Sequence, residues 1–130
     1  MDNAHISDGE WKIMKLLWED APLTTAQMVS ALEPETGWTK TTVFVMLKRL
    51  IAKGVVRMDE SGKFNTYYPT VSRSSVTLSE TENFISRVYD GSIELMFSAL
   101  TGNKALSAEE IAELRSILDA AEKKIGSDRK

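Results

Sequence analysis

A mainly α-helical fold with one small β-hairpin follows from three observations. Apolar residues recur at helical spacing in five stretches of this 130-residue chain. Between the third and the fourth, "VVRMDESGKFNTYYPT" sets β-branched and aromatic residues around a polar turn, the pattern of two short strands. Past residue 73 the helical pattern is apolar on more sides than two helices can cover for each other. The expected division is an N-terminal domain at 1–73 and a helical domain at 74–130.

The first helix opens on Ser7 and Glu10, an S-x-x-E capping box, and Trp11, Met14, Leu17 and Trp18 follow on one face. "EDAPL" closes it, because Pro22 cannot continue the ladder. A second, shorter helix starts near Thr24 or Thr25, buries Met28, Val29 and Leu32, and is expected to end at Pro34. Thr39 is the natural N-cap of the third helix, whose inward face is Val43, Met46, Leu47, Leu50 and Ile51. Gly54 suits the left-handed position after its end. The hairpin follows, closed by Pro69. Three short helices and a two-stranded ribbon are the element order of a winged helix-turn-helix. There the hairpin is the wing and the third helix the reading element.

Beyond "SRSSVTLS" a long helical pattern is expected over 79–100, bent at Gly91, with Phe84, Val88, Ile93, Met96, Phe97 and Leu100 among its apolar positions. Ser107 and Glu110 form a second capping box before the last helix. There Ile111, Leu114, Leu118, Ala121 and Ile125 alternate spacings of three and four, the seam of a helix that packs on another helix. A second copy of the chain is the expected cover, so Phe84, Val88, Ile93, Met96, Phe97, Leu100, Ile111, Leu114 and Leu118 are the candidate dimerisation residues.

A hydrophobic fraction of 42% and a charged fraction of 27% describe a globular chain, not a disordered one. No apolar run is long enough for a bilayer, and "MDNAHISDGE" lacks the apolar core of a secretory signal, so a cytoplasmic protein without membrane insertion is expected. The absence of cysteine removes disulfides, thiol nucleophiles and thiolate metal sites. His5 is the only histidine, and neither phosphate-binding loops nor hydrolase and metalloprotease signatures occur. No catalytic residue, metal or cofactor is expected.

The net charge of −3 hides a strong asymmetry. Residues 1–37 carry two bases and seven acids. Residues 38–73 carry seven bases (Lys40, Lys48, Arg49, Lys53, Arg57, Lys63 and Arg73) against Asp59 and Glu60, and the remainder holds seven bases and ten acids. A local positive field within an acidic chain marks a binding face for a polyanion. The outward face of the third helix holds Thr41, Thr42, Val45, Lys48, Arg49 and Ala52, with Phe44 on its flank and no acid. Short methyl-bearing side chains permit close approach to base edges and pack on the thymine methyl, and Lys48 and Arg49 reach phosphates or a guanine edge. Thr39 and the free N–H groups of the first turn suit a backbone phosphate, Lys63 near the wing tip with Arg57 and Arg73 suits flanking backbone, and Lys40 is a further candidate DNA contact. The leading expectation is a homodimeric, sequence-specific repressor bound to double-stranded operator DNA. The competing expectation is a protein-interaction adaptor that uses the same fold without touching DNA.

"SDGEWKIMKLLW", "GWTKTTVFVMLKRLIAKGVV", "GKFNTYYPTV" and "FISRVYDGS" together resemble the penicillinase and methicillin-resistance repressor family (BlaI/MecI), with the copper-responsive CopY repressors as a sister branch. The resemblance runs from about Ile6 into the last helix. It implies a dimeric winged-helix repressor of antibiotic-resistance type on an inverted-repeat operator. It also implies release when a membrane sensor protease system triggers a cut in the dimerisation domain. Three departures stand out. Ala99 and Leu100, within "LMFSALTG", occupy the place of the Asn-Phe bond that is cut in those relatives. The Cys-x-Cys pairs of the copper branch are missing, and Thr41 and Phe44 stand where the antibiotic-responsive repressors carry Lys and Arg.

Overall fold

A computed structural model describes residues 5–103 and 105–128. The order is α1 (Asp8–Asp20), α2 (Thr25–Thr36), α3 (Lys40–Ala52), β1 (Val56–Asp59), β2 (Thr66–Pro69), α4 (Arg73–Tyr89), α5 (Ile93–Gly102) and α6 (Ala108–Asp128). The chain divides into two compact units, one ending at Asn83 and the other starting at Phe84. The first therefore extends past the boundary expected at residue 73, because Val76 of α4 is buried in its core and Glu80 accepts the Ile6 N–H at 3.4 Å.

Each helix of the first unit starts on a side-chain cap. Ser7 with Glu10 and Thr24 with Gln27 form reciprocal boxes, and the Thr39 hydroxyl accepts the Thr42 N–H. The helices bury Ile13, Met14 and Leu17 of α1, Met28 and Leu32 of α2, and Val43, Leu47 and Leu50 of α3 against one another. The antiparallel hairpin closes the core from the side. Val56 pairs with Pro69, Arg57 with Tyr68, Met58 with Tyr67 and Asp59 with Thr66, and the buried Tyr67 also bridges Leu23. Trp18 donates its indole N–H to the Val71 carbonyl at 2.9 Å, tying α1 to the segment after the wing.

Several expectations need correction. Pro34 does not end α2, which continues to Thr36 and stops where Gly37 turns left-handed at φ 67°. Proline in the last turn forfeits one ladder bond without blocking the two residues that follow. Ile51 is exposed rather than inward, whereas Val43, Leu47 and Leu50 are buried and Met46 packs half-buried against the same core.

The pattern expected over 79–100 is two helices. α4 starts at Arg73, where Ser72 accepts the Ser75 N–H on its hydroxyl and the Val76 N–H on its carbonyl as a capping residue does. It stops at Tyr89 because Asp90 (φ 51°) and Gly91 (φ 83°) are both left-handed, and the Ser92 hydroxyl then caps α5. Two successive left-handed residues break a helix rather than bend it.

In the second unit, Ser107 and Glu110 form the expected box at the head of α6, with bonds of 3.1 and 2.8 Å. Among the described residues from Phe84 onward, no side chain is buried. No helix is long and apolar enough to cross a membrane among the described residues.

Candidate nucleic-acid interface

The local chemistry of α3 sets the site. Thr39 stays extended (φ −81°, ψ 166°), and its hydroxyl takes the Thr42 N–H at 3.2 Å, with the two hydroxyls 3.1 Å apart. That leaves other N–H groups of the first turn without helical partners, at the positive end of the helix dipole. With Val43, Leu47 and Leu50 buried and Met46 packed half-buried against the same core, the other positions face outward. Lys40, Thr41, Lys48, Arg49 and Ala52 are exposed, Phe44 is 45% and Val45 41% exposed, and Thr42 is half-buried. Apart from Thr42, the residues expected on the outward face of α3 are thus open to an incoming partner.

The wing carries the other expected residues. Arg57 is exposed, with its guanidinium 4.0 Å from the ring centroid of Tyr68, its partner in the ladder. Lys63 is exposed near the tip, its ammonium 5.4 Å from the Phe64 ring, and Lys48 sits 5.7 Å from the Phe44 ring in the same manner. Asp59 accepts the Ser61 N–H at 2.8 Å, and these bonds from Ser61 hold its carboxyl below the usual range while they shape the turn. A cleft of about 520 Å³ lies where the first turn of α3, the head of α2 and the hairpin meet. Lys40, Thr41, Thr24, Thr25, Phe64 and Asn65 are among its lining.

Electrostatics separates one base from the other six. Lys53 places its ammonium 2.5 Å from Glu10 Oε1 and 2.7 Å from the His5 carbonyl, so its charge is matched inside the domain. Lys40, Lys48, Arg49, Arg57, Lys63 and Arg73 are all exposed, and among the described residues none is in an ion pair with a carboxylate. The cationic surface is therefore smaller than the sequence count and concentrated on α3, since Asp59 and Glu60 match Arg57 and Lys63 in number on the hairpin. Sequence reasoning missed the Glu10–Lys53 pair and the cleft-lining Thr24, Thr25 and Asn65. No local signal links positions so far apart in the chain.

The comparisons with known proteins bear on the family and the fold. A family model described as the penicillinase repressor matches residues 6–120. The chain is 32% identical over 114 residues to the penicillinase repressor of Bacillus licheniformis, covering 88% of this chain and 89% of that one. It is 29% identical over 121 residues to the methicillin resistance regulatory protein MecI of Staphylococcus aureus, covering 92% and 98%. Among solved structures, the DNA-binding domain of the repressor BlaI matches with a TM-score of 0.50 and 31% identity, over 57% of this chain and 92% of that domain. The α1–α3 and hairpin arrangement is thus a winged helix, and this chain belongs to the penicillinase repressor family, as a DNA-binding transcriptional repressor.

Proposed function

We propose that the protein represses transcription as a homodimer on an inverted-repeat operator, each copy reading one half-site. In this reading Thr41, Thr42, Phe44 and Val45 meet base edges and thymine methyls in the major groove. Lys48 and Arg49 reach a guanine edge or phosphate, Thr39 and Lys40 hold a phosphate at the helix head, and Arg57 and Lys63 hold flanking backbone. The first unit binds DNA and the second joins the copies.

The observation that carries this is the bare second unit. Phe84, Val88, Ile93 and Leu118 are exposed, Met96, Phe97, Leu100, Ile111 and Leu114 are half-buried, and nothing there is fully covered among the described residues. Helices with that much open apolar surface do not persist in water without a partner. A second copy is the partner that also matches two half-sites on one duplex face.

Release then follows from separating the copies, by cleavage or by any signal that weakens their contact. Ala99 and Leu100 lie inside α5 and are half-buried. A cut there needs that turn to open, which supports a release route other than the Asn-Phe cleavage of the relatives. A cytoplasmic site of action belongs to the same proposal, and release through a sensor protease system is its alternative.

Electrophoretic shifts on the protein's own upstream region, with sedimentation of the complex, test the reading. Two chains per duplex are expected, with log K falling by about 0.9 per phosphate neutralised as log salt rises. Absent or salt-insensitive binding there and on genomic fragments would favour a protein-interaction role and overturn the proposal.

A further inference from the structure

Phe64 is 64% exposed, the most exposed large apolar side chain among the described residues, and it sits at the tip of the hairpin. Its ring adds little to the core of its own domain, so folding does not account for it. Lys63 lies over that ring, and Arg57 stands on the strand leading to the turn. Glu60, exposed in the same turn, and Asp59 at the end of β1 match these two bases in number, so the ring rather than net charge distinguishes the tip.

The cleft supplies the second observation. Lys40 and Thr41 of α3, Thr24 and Thr25 at the head of α2, and Phe64 and Asn65 of the hairpin line one hollow of about 520 Å³. In a duplex, the major and minor grooves are separated by a sugar-phosphate strand. Two protein elements that enter adjacent grooves therefore have one strand running between them. The hollow is lined mainly by apolar groups, Phe44, Phe64 and Tyr67 among them, with the Lys40 ammonium and the Thr24, Thr25 and Thr41 side chains at its edge, a mixture that suits the sugars and phosphates of that strand.

We propose that the cleft straddles one operator strand and that Phe64 enters the neighbouring minor groove as an apolar wedge against a base step. The proposal rests on the reading that α3 occupies the major groove. The minor groove offers a degenerate hydrogen-bond pattern, so a phenyl ring there reads ease of unstacking rather than base identity. Pyrimidine–purine steps unstack most readily, so Phe64 selects them at positions that α3 never touches.

The test uses the full chain and duplexes selected from a randomised pool. Wild-type protein is expected to enrich a pyrimidine–purine step at a fixed distance outside each half-site, and 2-aminopurine placed at that step brightens on binding. Phe64→Ala is expected to lose that enrichment, the brightening and about tenfold in affinity, with its salt slope unchanged because no phosphate contact is lost. Phe64→Leu, which keeps an apolar wedge, retains most of the affinity. Unchanged melting of both variants shows that the fold is intact, as expected for so exposed a side chain. Lys48→Ala separates the two readings. If it weakens binding while Phe64→Ala selects the same flanks with wild-type affinity, the wedge alone is overturned. If the wild type selects no duplex, or Lys48→Ala changes nothing, the placement of α3 fails and the wedge falls with it.

Discussion

Lys53 turns its charge inward, and the contrast with the exposed bases around it is chemical. Glu10 is 1% exposed, and burial alone pushes its carboxyl up. The hydrogen bond from Lys53, the backbone and hydroxyl of Ser7, and the Lys53 charge outweigh that burial and leave it below the ordinary value of 4.5. A depressed folded-state value means that this stabilisation is complete above pH 4.5 and is lost as pH falls through the folded value. Removing the lysine strands a buried carboxylate. Lys53→Met is expected to destabilise the domain by about 2 kcal/mol at pH 7, less than a fully buried pair because a quarter of Lys53 remains in solvent. Glu10→Gln should flatten stability against pH below 4.5, as read by denaturant unfolding at several acid pH values. If it loses stability in acid in parallel with the wild type, the pair is not the source of acid sensitivity. Half of this pair was legible from the sequence. Glu10 announced itself as the closing glutamate of a capping box, whereas its partner lies 43 positions away, beyond any local pattern.

At the scale of elements, legibility followed the range of the interaction. Caps are local, so Ser7, Thr39 and Ser107 marked the heads of α1, α3 and α6 from composition alone. Pro34 misled because its penalty depends on how much helix remains after it, and only two residues do. Ile51 is left exposed on the rim of an open hollow shared with Met58 and Tyr67 of the hairpin, and spacing within α3 does not contain that information. Gly54 joins α3 to the wing, and it is here that the element-scale prediction falls. Its φ is 80°, and a Cβ added there meets nothing within 4 Å, so a substitution feels the backbone conformation alone. Gly54→Ala is expected to lower unfolding free energy by about 1 kcal/mol, with affinity of the folded protein for operator DNA unchanged. Equilibrium denaturation and a titration in native buffer measure the two separately. No loss of stability would contradict the left-handed turn, and a loss of affinity alone would place Gly54 against the DNA.

The whole molecule joins a winged unit that has its own core and a small cationic face to a helical unit in which no side chain is fully buried among the described residues. A single winged domain with six exposed bases on its reading segment, in a chain of net charge −3, has modest attraction for a duplex. Linking two raises the effective concentration for the second half-site and multiplies affinity by about 10² or more. Leu118 tests that coupling because it is 61% exposed and stands in the three-four seam of α6, far along the chain from α3. In the proposed dimer, a glutamate there puts charge into the contact between copies and leaves the sequence of α3 unaltered. Leu118→Glu is expected to sediment as a monomer at micromolar concentration and to lose about 10²-fold in affinity for the full operator. Its affinity for a single half-site should equal that of the wild type, since the winged domain is unaltered. A variant that stays dimeric removes the seam from the interface, whereas a monomer that grips the full operator as tightly as wild type would dissolve the link between pairing and repression.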